Sequence, residues 1–257
     1  MLYQTLRIQT AGHVAIITLK GPVDSPSKRG RLSDELMECG STLSEDEKIR
    51  TVIVTDAGEG SFSMEADTVE PRLEGDEEVT RGRESLAAPI AALDVPTVAA
   101  IQGDALGQGL ELVLACDVRI AAETARFGFP DIKNGLIPQD GGTQRFARLV
   151  GRGKAIEMIL TGELIDAQEA LRIGLLNKVV PSESLTAEAL KMAQEIGSKA
   201  PIAMGYAKEA IYKGMDMTLE QGLRLEADLY LLLHTTKDRT EGIKAFQEKR
   251  PLRFEGR

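Results

Sequence analysis

The sequence is poor in cysteine and has fewer basic than acidic residues, and both shortages limit what the protein can do. It has two cysteines, Cys39 and Cys116, in 257 residues, too few for a disulfide framework or a cysteine-based metal site. Lysine and arginine total 31 against 40 aspartates and glutamates, which gives a net charge of −9. Nucleic acids and anionic membranes bind clustered basic residues, so this charge balance disfavours both as partners. Aromatic residues make up 4% of the chain, which counts against base stacking.

Long apolar runs are also missing. No stretch reaches the ~18 residues that a membrane-spanning helix needs. The opening residues, "MLYQTLRIQTAGHVAIITLKG", alternate in polarity and lack the basic and apolar regions of a signal peptide. We therefore expect a cytoplasmic protein in a reducing compartment, with no membrane or nucleic-acid partner.

Short β-branched runs alternate with amphipathic segments over the first half of the chain. Ala11-Gly12 separates two alternating runs and predicts a β-hairpin. "LSDELMECGSTLS" predicts a helix with Ser33 as its N-cap. Buried parallel strands are predicted from "TVIVTDAG", "VPTVAAIQG" and "VRIAAE". Strands that alternate with helices indicate βαβ units and a parallel sheet. After about residue 150 the pattern is helical, with "NKVVP" as a single strand-like run.

The first candidate site lies in "IQGDALGQGLELVLACD", residues 101–117, where a strand gives way to a helix. Gly107 and Gly109 flank Gln108 at the predicted helix start, and glycines let another group approach the backbone closely. Helix N-terminal N–H groups lack internal partners and carry positive potential, which suits an anion. A plain strand-to-helix turn is the alternative. Glu111 follows among apolar residues, which predicts a raised pKa suited to acid–base chemistry; otherwise it only complements the helix dipole.

The second candidate site lies in "FGFPDIKNGLIPQDGGTQR", residues 127–145. Loops at the carboxyl ends of adjacent parallel strands meet in one crevice. Asp131 is one strand-like run after Glu111, so both carboxylates are expected there and can divide acid and base roles. Ala66, in the loop after "TVIVTDAG", is a candidate for a second backbone donor. Asp140 is either a solvated N-cap for the helix that follows it or a third carboxylate in the cleft.

These stretches resemble the enoyl-CoA hydratase/isomerase (crotonase) superfamily, and the similarity runs nearly end to end. It is carried by "SFSMEAD", "GDALGQGLELVLACDVRIAAETARFGFPDIKNGLIPQDGGTQR", "LTGELIDAQEALRIGLLNKVV" and "DRTEGIKAFQEKRPLRF". The resemblance implies an α/β protein with a crotonase-like spiral of ββα units. It implies a core over residues 1–195 and a C-terminal α-helical trimerisation region over residues 196–257. A homotrimer or homohexamer is expected.

The resemblance also implies an acyl-CoA thioester substrate and no metal or other cofactor, since coenzyme A is part of the substrate. It implies that Glu111 and Asp131 are catalytic and that the backbone N–H groups of Ala66 and Gln108 form an oxyanion hole. Asp140 and Glu65 are possible additional acids. The residues expected to bind coenzyme A are Lys28, Arg29, Met64, Ala66, Phe246 and Lys249.

Departures from the usual family pattern leave the reaction open. Asp131 stands where the hydratases have a second glutamate, which retracts the carboxyl by ~1.5 Å, about one C–C bond. Gln108 interrupts a glycine triplet, and Glu65 replaces a glycine. Hydration of an enoyl-CoA, or of a cyclic or dienoyl-CoA, is the leading interpretation. A double-bond isomerase and a non-catalytic acyl-CoA-binding or scaffold protein are the alternatives.

Overall fold

The apolar runs of the first half of the chain form most of the strands of two sheets. The computed structural model describes residues 3–21, 25–57, 62–64 and 85–257. Within them the strands are β1 (Leu6–Ala11), β2 (Val14–Leu19), β3 (Thr51–Asp56), β4 (Ser63–Met64), β5 (Thr97–Ile101), β6 (Ala105–Gly107), β7 (Val118–Ala122), β8 (Arg126–Gly128), β9 (Ile165–Asp166) and β10 (Lys178–Val180).

Helices cover the strands and make up most of the second half of the chain. They are α1 (Pro26–Glu45), α2 (Ala87–Ala91), α3 (Gln108–Leu114), α4 (Ala147–Val150), α5 (Arg152–Thr161), α6 (Ala167–Arg172), α7 (Leu185–Gly197), α8 (Pro201–Gly214), α9 (Leu219–Leu233) and α10 (Lys237–Glu248). Pro130–Asn134 and Ser182–Ser184 form 3-10 turns, and Gly142–Phe146 forms a π-helical turn.

The larger sheet has the strand order β1-β2-β3-β5-β7-β10. β1 and β2 pair antiparallel around the turn at Gly12, and the other neighbours pair parallel. The structure therefore confirms the predicted hairpin, the predicted buried strands and the strand predicted from "NKVVP", which is β10. The expectation of a single strand after residue 150 was wrong, because β9 (Ile165–Asp166) also lies there. Every residue of β5 is buried, as expected of a strand covered on both faces.

The two faces of this sheet lie in different apolar clusters. Val98 and Ala100 of β5 belong to one cluster, and Ala99 and Ile101 belong to the other. This separation follows from the two-residue period of a strand. α7 covers the first face with Leu185, Ala189 and Ala193, whose four-residue spacing puts them on one side of a helix.

The smaller sheet positions the candidate site. Its strand order is β4-β6-β8-β9, with β4, β6 and β8 parallel and β9 antiparallel to β8. β6 runs directly into α3, and β8 ends two residues before the 3-10 turn that carries Asp131. The carboxyl ends of these parallel neighbours face the same edge of the sheet, as the sequence predicted.

The start of the first helix was predicted wrongly. α1 begins at Pro26 with Ser25 as its N-cap residue, so Ser33 is inside the helix, where it is buried and donates to the carbonyl of Ser85 (2.9 Å). Proline is favoured in the first helical turn, and this signal outweighed the serine before the apolar run. Lys28 and Arg29 consequently lie in α1.

The C-terminal helices are held to the sheet through a partly buried ion pair. Lys208 of α8 contacts Asp117, Nζ to Oδ2, at 2.9 Å, and donates to the carbonyl of Leu93 at 2.7 Å. The same Asp117 oxygen accepts from the backbone N–H of Thr97 at 2.7 Å. The division of the chain at residue 195 stays a prediction. In the parts of the chain that the structure describes, no helix is long and apolar enough to cross a membrane.

Candidate active site

A glycine fixes the junction between β6 and α3. Gly107 pairs with Met64 of β4 and precedes the first residue of α3, Gln108. Its φ of 54° and ψ of −128° lie in a region that is open essentially to glycine alone. The turn therefore places Gln108 at the N-terminus of α3, beside β4.

Gly109 allows a close backbone contact of the kind that the sequence predicted, but the approaching group belongs to the protein. A Cβ at position 109 would lie 1.7 Å from the carbonyl oxygen of Phe62. Phe62 itself accepts from the backbone N–H of Leu106 at 3.0 Å. The absence of a side chain at Gly109 thus lets the segment that enters β4 pack against α3. Sequence reasoning missed Phe62, because no local pattern links it to Gly109.

Glu111 is buried on the face of α3 that also carries Gln108, since residues three apart share a helix face. Its side chain is 2% exposed. One carboxylate oxygen, Oε1, accepts from the backbone N–H groups of Asp140 and Gly142, both at 2.7 Å. A Cβ at Gly142 would lie 2.9 Å from this oxygen, so glycine leaves the space that the contact needs. Gly142 starts the π-helical turn and was another position missed as a site residue.

The surroundings of Glu111 raise its pKa from 4.5 to about 7. Burial is the largest cause, because it removes water from the charged form. The two N–H donors act in the opposite direction, and the charges of Asp140 and Asp131 add to the rise. The raised pKa predicted from the apolar neighbours in sequence is confirmed. Near neutral pH the carboxyl can both accept and release a proton.

Asp131 lies in the first turn of the 3-10 helix Pro130–Asn134 and is 4% exposed. Gly135 ends this helix in the left-handed conformation. Asp131 is close enough to Glu111 for its charge to raise the pKa of that carboxyl. The structure therefore brings together two buried carboxylates that are 20 residues apart in the chain, as expected for one crevice.

Asp140 does not cap the helix that follows it, contrary to one of the two predictions made for it. Its carboxylate accepts from the hydroxyl of Ser85 and from the backbone N–H groups of Leu86 (2.7 Å) and Ala87 (3.0 Å). It therefore caps α2, whose first residue, Ala87, precedes it by 53 residues. The residue before the π-helical turn is Gly141, and that turn has no side-chain cap.

The Gln108 side chain points towards the same carboxylate. Its Nε2 lies 3.5 Å from Oδ2 of Asp140, and the residue is buried. Gln108 and Asp140 are therefore in contact.

The remaining predicted site residues are dispersed over several elements. Glu65 and Ala66 lie outside the described residues, and Met64 is in β4. Lys28 is exposed on α1, whereas Arg29 is buried there.

Phe246 and Lys249 lie at the end of α10, where Phe246 is 86% exposed and Lys249 ends the helix with a φ of 51°. Phe246 borders an apolar cleft of about 630 Å³. The side chains that line this cleft come from α8, α9, α10 and the final residues, and include neither Glu111 nor Asp131.

Metal ligands are not assembled in the part of the chain that the structure covers. Across the described ranges, no group of three or more histidine, cysteine, aspartate or glutamate residues could hold a metal ion. The site is thus defined by two buried carboxylates, a helix N-terminus and a glycine-rich turn.

The chain is similar in sequence and in fold to enzymes of one family. The sequence model described as enoyl-CoA hydratase/isomerase matches residues 9–257. A probable enoyl-CoA hydratase of Mycobacterium bovis is 38% identical over 255 residues, with 99% of each chain covered. A short-chain-enoyl-CoA hydratase of Clostridium acetobutylicum is 38% identical over 252 residues, with 95% of each chain covered.

A solved structure shows the same fold. The crystal structure of an enoyl-CoA hydratase from Bacillus anthracis superposes with a TM-score of 0.87 at 38% identity, covering 99% of this chain and 100% of that one. The predicted crotonase-like α/β fold is confirmed by this similarity. The chain therefore belongs to the enoyl-CoA hydratase/isomerase (crotonase) family and is a hydratase-like enzyme.

Proposed function

We propose that the protein adds water across the conjugated double bond of an enoyl-CoA. The observation that carries this proposal is the Glu111 carboxyl, which is buried beside Asp131 and has a pKa raised to about 7. Addition of water needs one proton to leave the water and one to reach the α-carbon, and two carboxyl groups in one dry site can divide these tasks.

The backbone at the start of α3 makes the thioester more reactive towards water. When water attacks the β-carbon, negative charge develops on the thioester oxygen. The N–H groups of Gln108 and Ala66 stabilise this charge as an oxyanion hole. Gln108 is the first residue of α3, where the positive end of the helix dipole adds to the effect.

Glu111 and Asp131 act as the acid–base pair. Glu111 in its ionised form takes a proton from the attacking water. In the state of the pair in which Glu111 is ionised and Asp131 carries the proton, Asp131 gives that proton to the α-carbon, so that the water is added without net change of charge. Because the pKa of Glu111 is about 7, Glu111 can lose the proton that it took from water at neutral pH, and both carboxyls can then return to their starting forms. We propose the pair as a unit because the titrations of interacting carboxyls are shared.

Assembly and coenzyme A binding belong to the same proposal. Apolar side chains are exposed along the C-terminal helices, including Ile211, Leu219, Leu223 and Leu231, which supports burial between copies in a homotrimer or homohexamer. In such an assembly Phe246 and Lys249 contribute to the coenzyme A site of a neighbouring copy, together with Lys28, Arg29, Met64 and Ala66. We place the enzyme in the cytoplasm, acting without a metal or further cofactor.

The test is a panel of short-chain, branched, cyclic and dienoyl-CoA esters incubated with the protein in heavy water. Loss of enoyl-thioester absorbance with a mass gain of one water supports hydration, whereas deuterium uptake without that gain identifies an isomerase. Glu111→Gln and Asp131→Asn should each lower kcat by ~100- to 10,000-fold while acyl-CoA binding is kept. Binding of the esters without any conversion would refute catalysis and favour an acyl-CoA-binding or scaffold role.

Asp140 provides the observation that bears on the isomerase alternative. A third proton carrier in the cleft was one of its two predicted roles. Its carboxylate accepts hydrogen bonds from Ser85, Leu86 and Ala87. Because these donors hold the carboxylate at the start of α2, this arrangement favours the two-carboxylate hydratase.

A further inference from the structure

Asp140 joins the turn of residues 140–142 to α2, which begins 53 residues earlier in the chain. Its carboxylate receives three hydrogen bonds from the start of α2, from the Ser85 hydroxyl and the N–H groups of Leu86 and Ala87. Ser85 also accepts from the N–H of Ala88 at 2.8 Å, so the hydroxyl itself is held in place. These donors fix the side of Asp140 that faces α2.

The backbone of the same residue holds Glu111. The N–H of Asp140 donates to Oε1 of Glu111 at 2.7 Å, and the N–H of Gly142, two residues later, donates to the same oxygen at 2.7 Å. On the other side of the turn, Nη1 of Arg145 donates to the carbonyl of Asp140 at 2.8 Å. The turn of residues 140–142 is therefore anchored by α2 and by Arg145, and Glu111 is anchored by the turn.

We propose that Asp140 is a positioning residue for Glu111, which locks the turn of residues 140–142 onto α2 so that its two N–H groups hold the Glu111 carboxylate for proton transfer. This inference rests on the proposed function. Positioning matters because a displacement of ~1 Å at a catalytic group can cost ~100-fold in rate. The Gln108 amide, directed at Oδ2 of Asp140, is oriented by the same carboxylate.

The charge of Asp140 has a separate effect. It lies beside Glu111 and, together with Asp131, favours the protonated form of Glu111. Arg145 is the cation that contacts this turn, through the Asp140 carbonyl. Removal of the negative charge at position 140 should therefore make Glu111 a stronger acid. The positioning effect of Asp140 and the effect of its charge can be measured separately. Asparagine removes the charge but keeps an acceptor oxygen for the donors of α2, whereas alanine removes both.

The experiment compares Asp140→Asn with Asp140→Ala in the complete protein. Positioning predicts that Asp140→Ala lowers kcat on the best enoyl-CoA by ~100-fold, with KM nearly unchanged. Asp140→Asn should recover most of this loss and shift the acidic limb of the kcat/KM profile to lower pH. Asp166 supplies the matched control, since it caps α6 by accepting from the N–H of Glu169 at 2.8 Å; Asp166→Asn and Asp166→Ala should change neither kcat nor the profile.

Two results would overturn the proposal. Equal losses of ~100- to 10,000-fold in Asp140→Asn and Asp140→Ala would identify a proton carrier. If kcat and the acidic limb are unchanged in both variants, Asp140 only caps α2, as Asp166 caps α6. If Asp140→Ala does not fold, Ser85→Ala removes one donor to the carboxylate, and its kcat should fall without a shift of the acidic limb; an unaltered kcat would count against the positioning role.

A measurement without substrate tests the role of Asp140 independently of the proposed function. Infrared difference titration of the ligand-free protein, with the Glu111 band assigned by its loss in Glu111→Gln, gives the pKa of that carboxyl directly. Asp140→Asn should lower it, and no change would refute the charge effect. A wild-type protein that converts no enoyl-CoA would refute the proposed function, whereas a normal wild-type rate with no effect at position 140 would refute the positioning role alone.

Discussion

Glu111→Gln should stabilise the fold while it removes activity. Glu111 titrates near 4.5 when exposed to water and near 7 in the folded protein. Each tenfold difference in acidity corresponds to about 1.4 kcal/mol, so holding the ionised carboxylate in the folded protein costs about 3 kcal/mol. Glutamine keeps an oxygen that can accept from Asp140 and Gly142, and it carries no charge to be buried.

The sign of the pH dependence follows from the raised pKa. Below about pH 4.5 the carboxyl is protonated in both the folded and unfolded states, and the cost is absent. Between pH 4.5 and 7 the unfolded state loses its proton first, so the stability of the wild type falls as pH rises. Above about pH 7 the full cost is present. The variant should exceed the wild type in free energy of unfolding by about 1 kcal/mol at pH 5 and about 3 kcal/mol at pH 8.

Urea denaturation at pH 5 and pH 8, at one fixed protein concentration, measures both differences. Glu195→Gln is the matched control, because Glu195 is an exposed glutamate on α7 and its replacement should leave the free energy unchanged at both pH values. A gain of the same size at pH 5 and pH 8, or a loss at pH 8, would show that burial does not govern Glu111 and would remove the basis of its acid–base role.

Three further substitutions test the packing of the site and its support. Gly109→Ala should displace Phe62 and lower kcat, because the new Cβ would lie 1.7 Å from the Phe62 carbonyl oxygen. The free energy of unfolding, measured by urea denaturation, should fall by about 1–3 kcal/mol. Wild-type turnover in this variant would refute the close contact. Lys208→Met leaves Asp117 without its cation and should cost about 3 kcal/mol, whereas a loss below about 1 kcal/mol would match an exposed pair. Asp131→Glu should lower hydration of crotonyl-CoA by crowding a buried position, and a rise in rate would show that Asp131 is a weakened remnant of a longer catalytic side chain.

The sequence alone determined the strands and the burial of the key carboxylate, because those features depend on neighbours along the chain. β-Branched runs with turn residues between them predict strands by period and composition, and β1, β2, β3, β5 and β7 are present in the structure. Glu111 is flanked by apolar residues in the sequence, and its pKa is raised as those neighbours suggested. The family resemblance indicated the fold that the similarity to a solved structure confirmed.

Only the tertiary structure decided which distant groups meet at the site. The sequence offered Ser33 and Asp140 as caps for the helices next to them. In the structure Ser33 lies within α1, and Asp140 caps α2. Gly109 was predicted to admit a ligand, and the backbone of Phe62 occupies that space. Capping and close-approach signals are local properties of a residue type, whereas the partner is set by how the sheets and helices pack, and that packing brings together residues more than 40 positions apart in the chain.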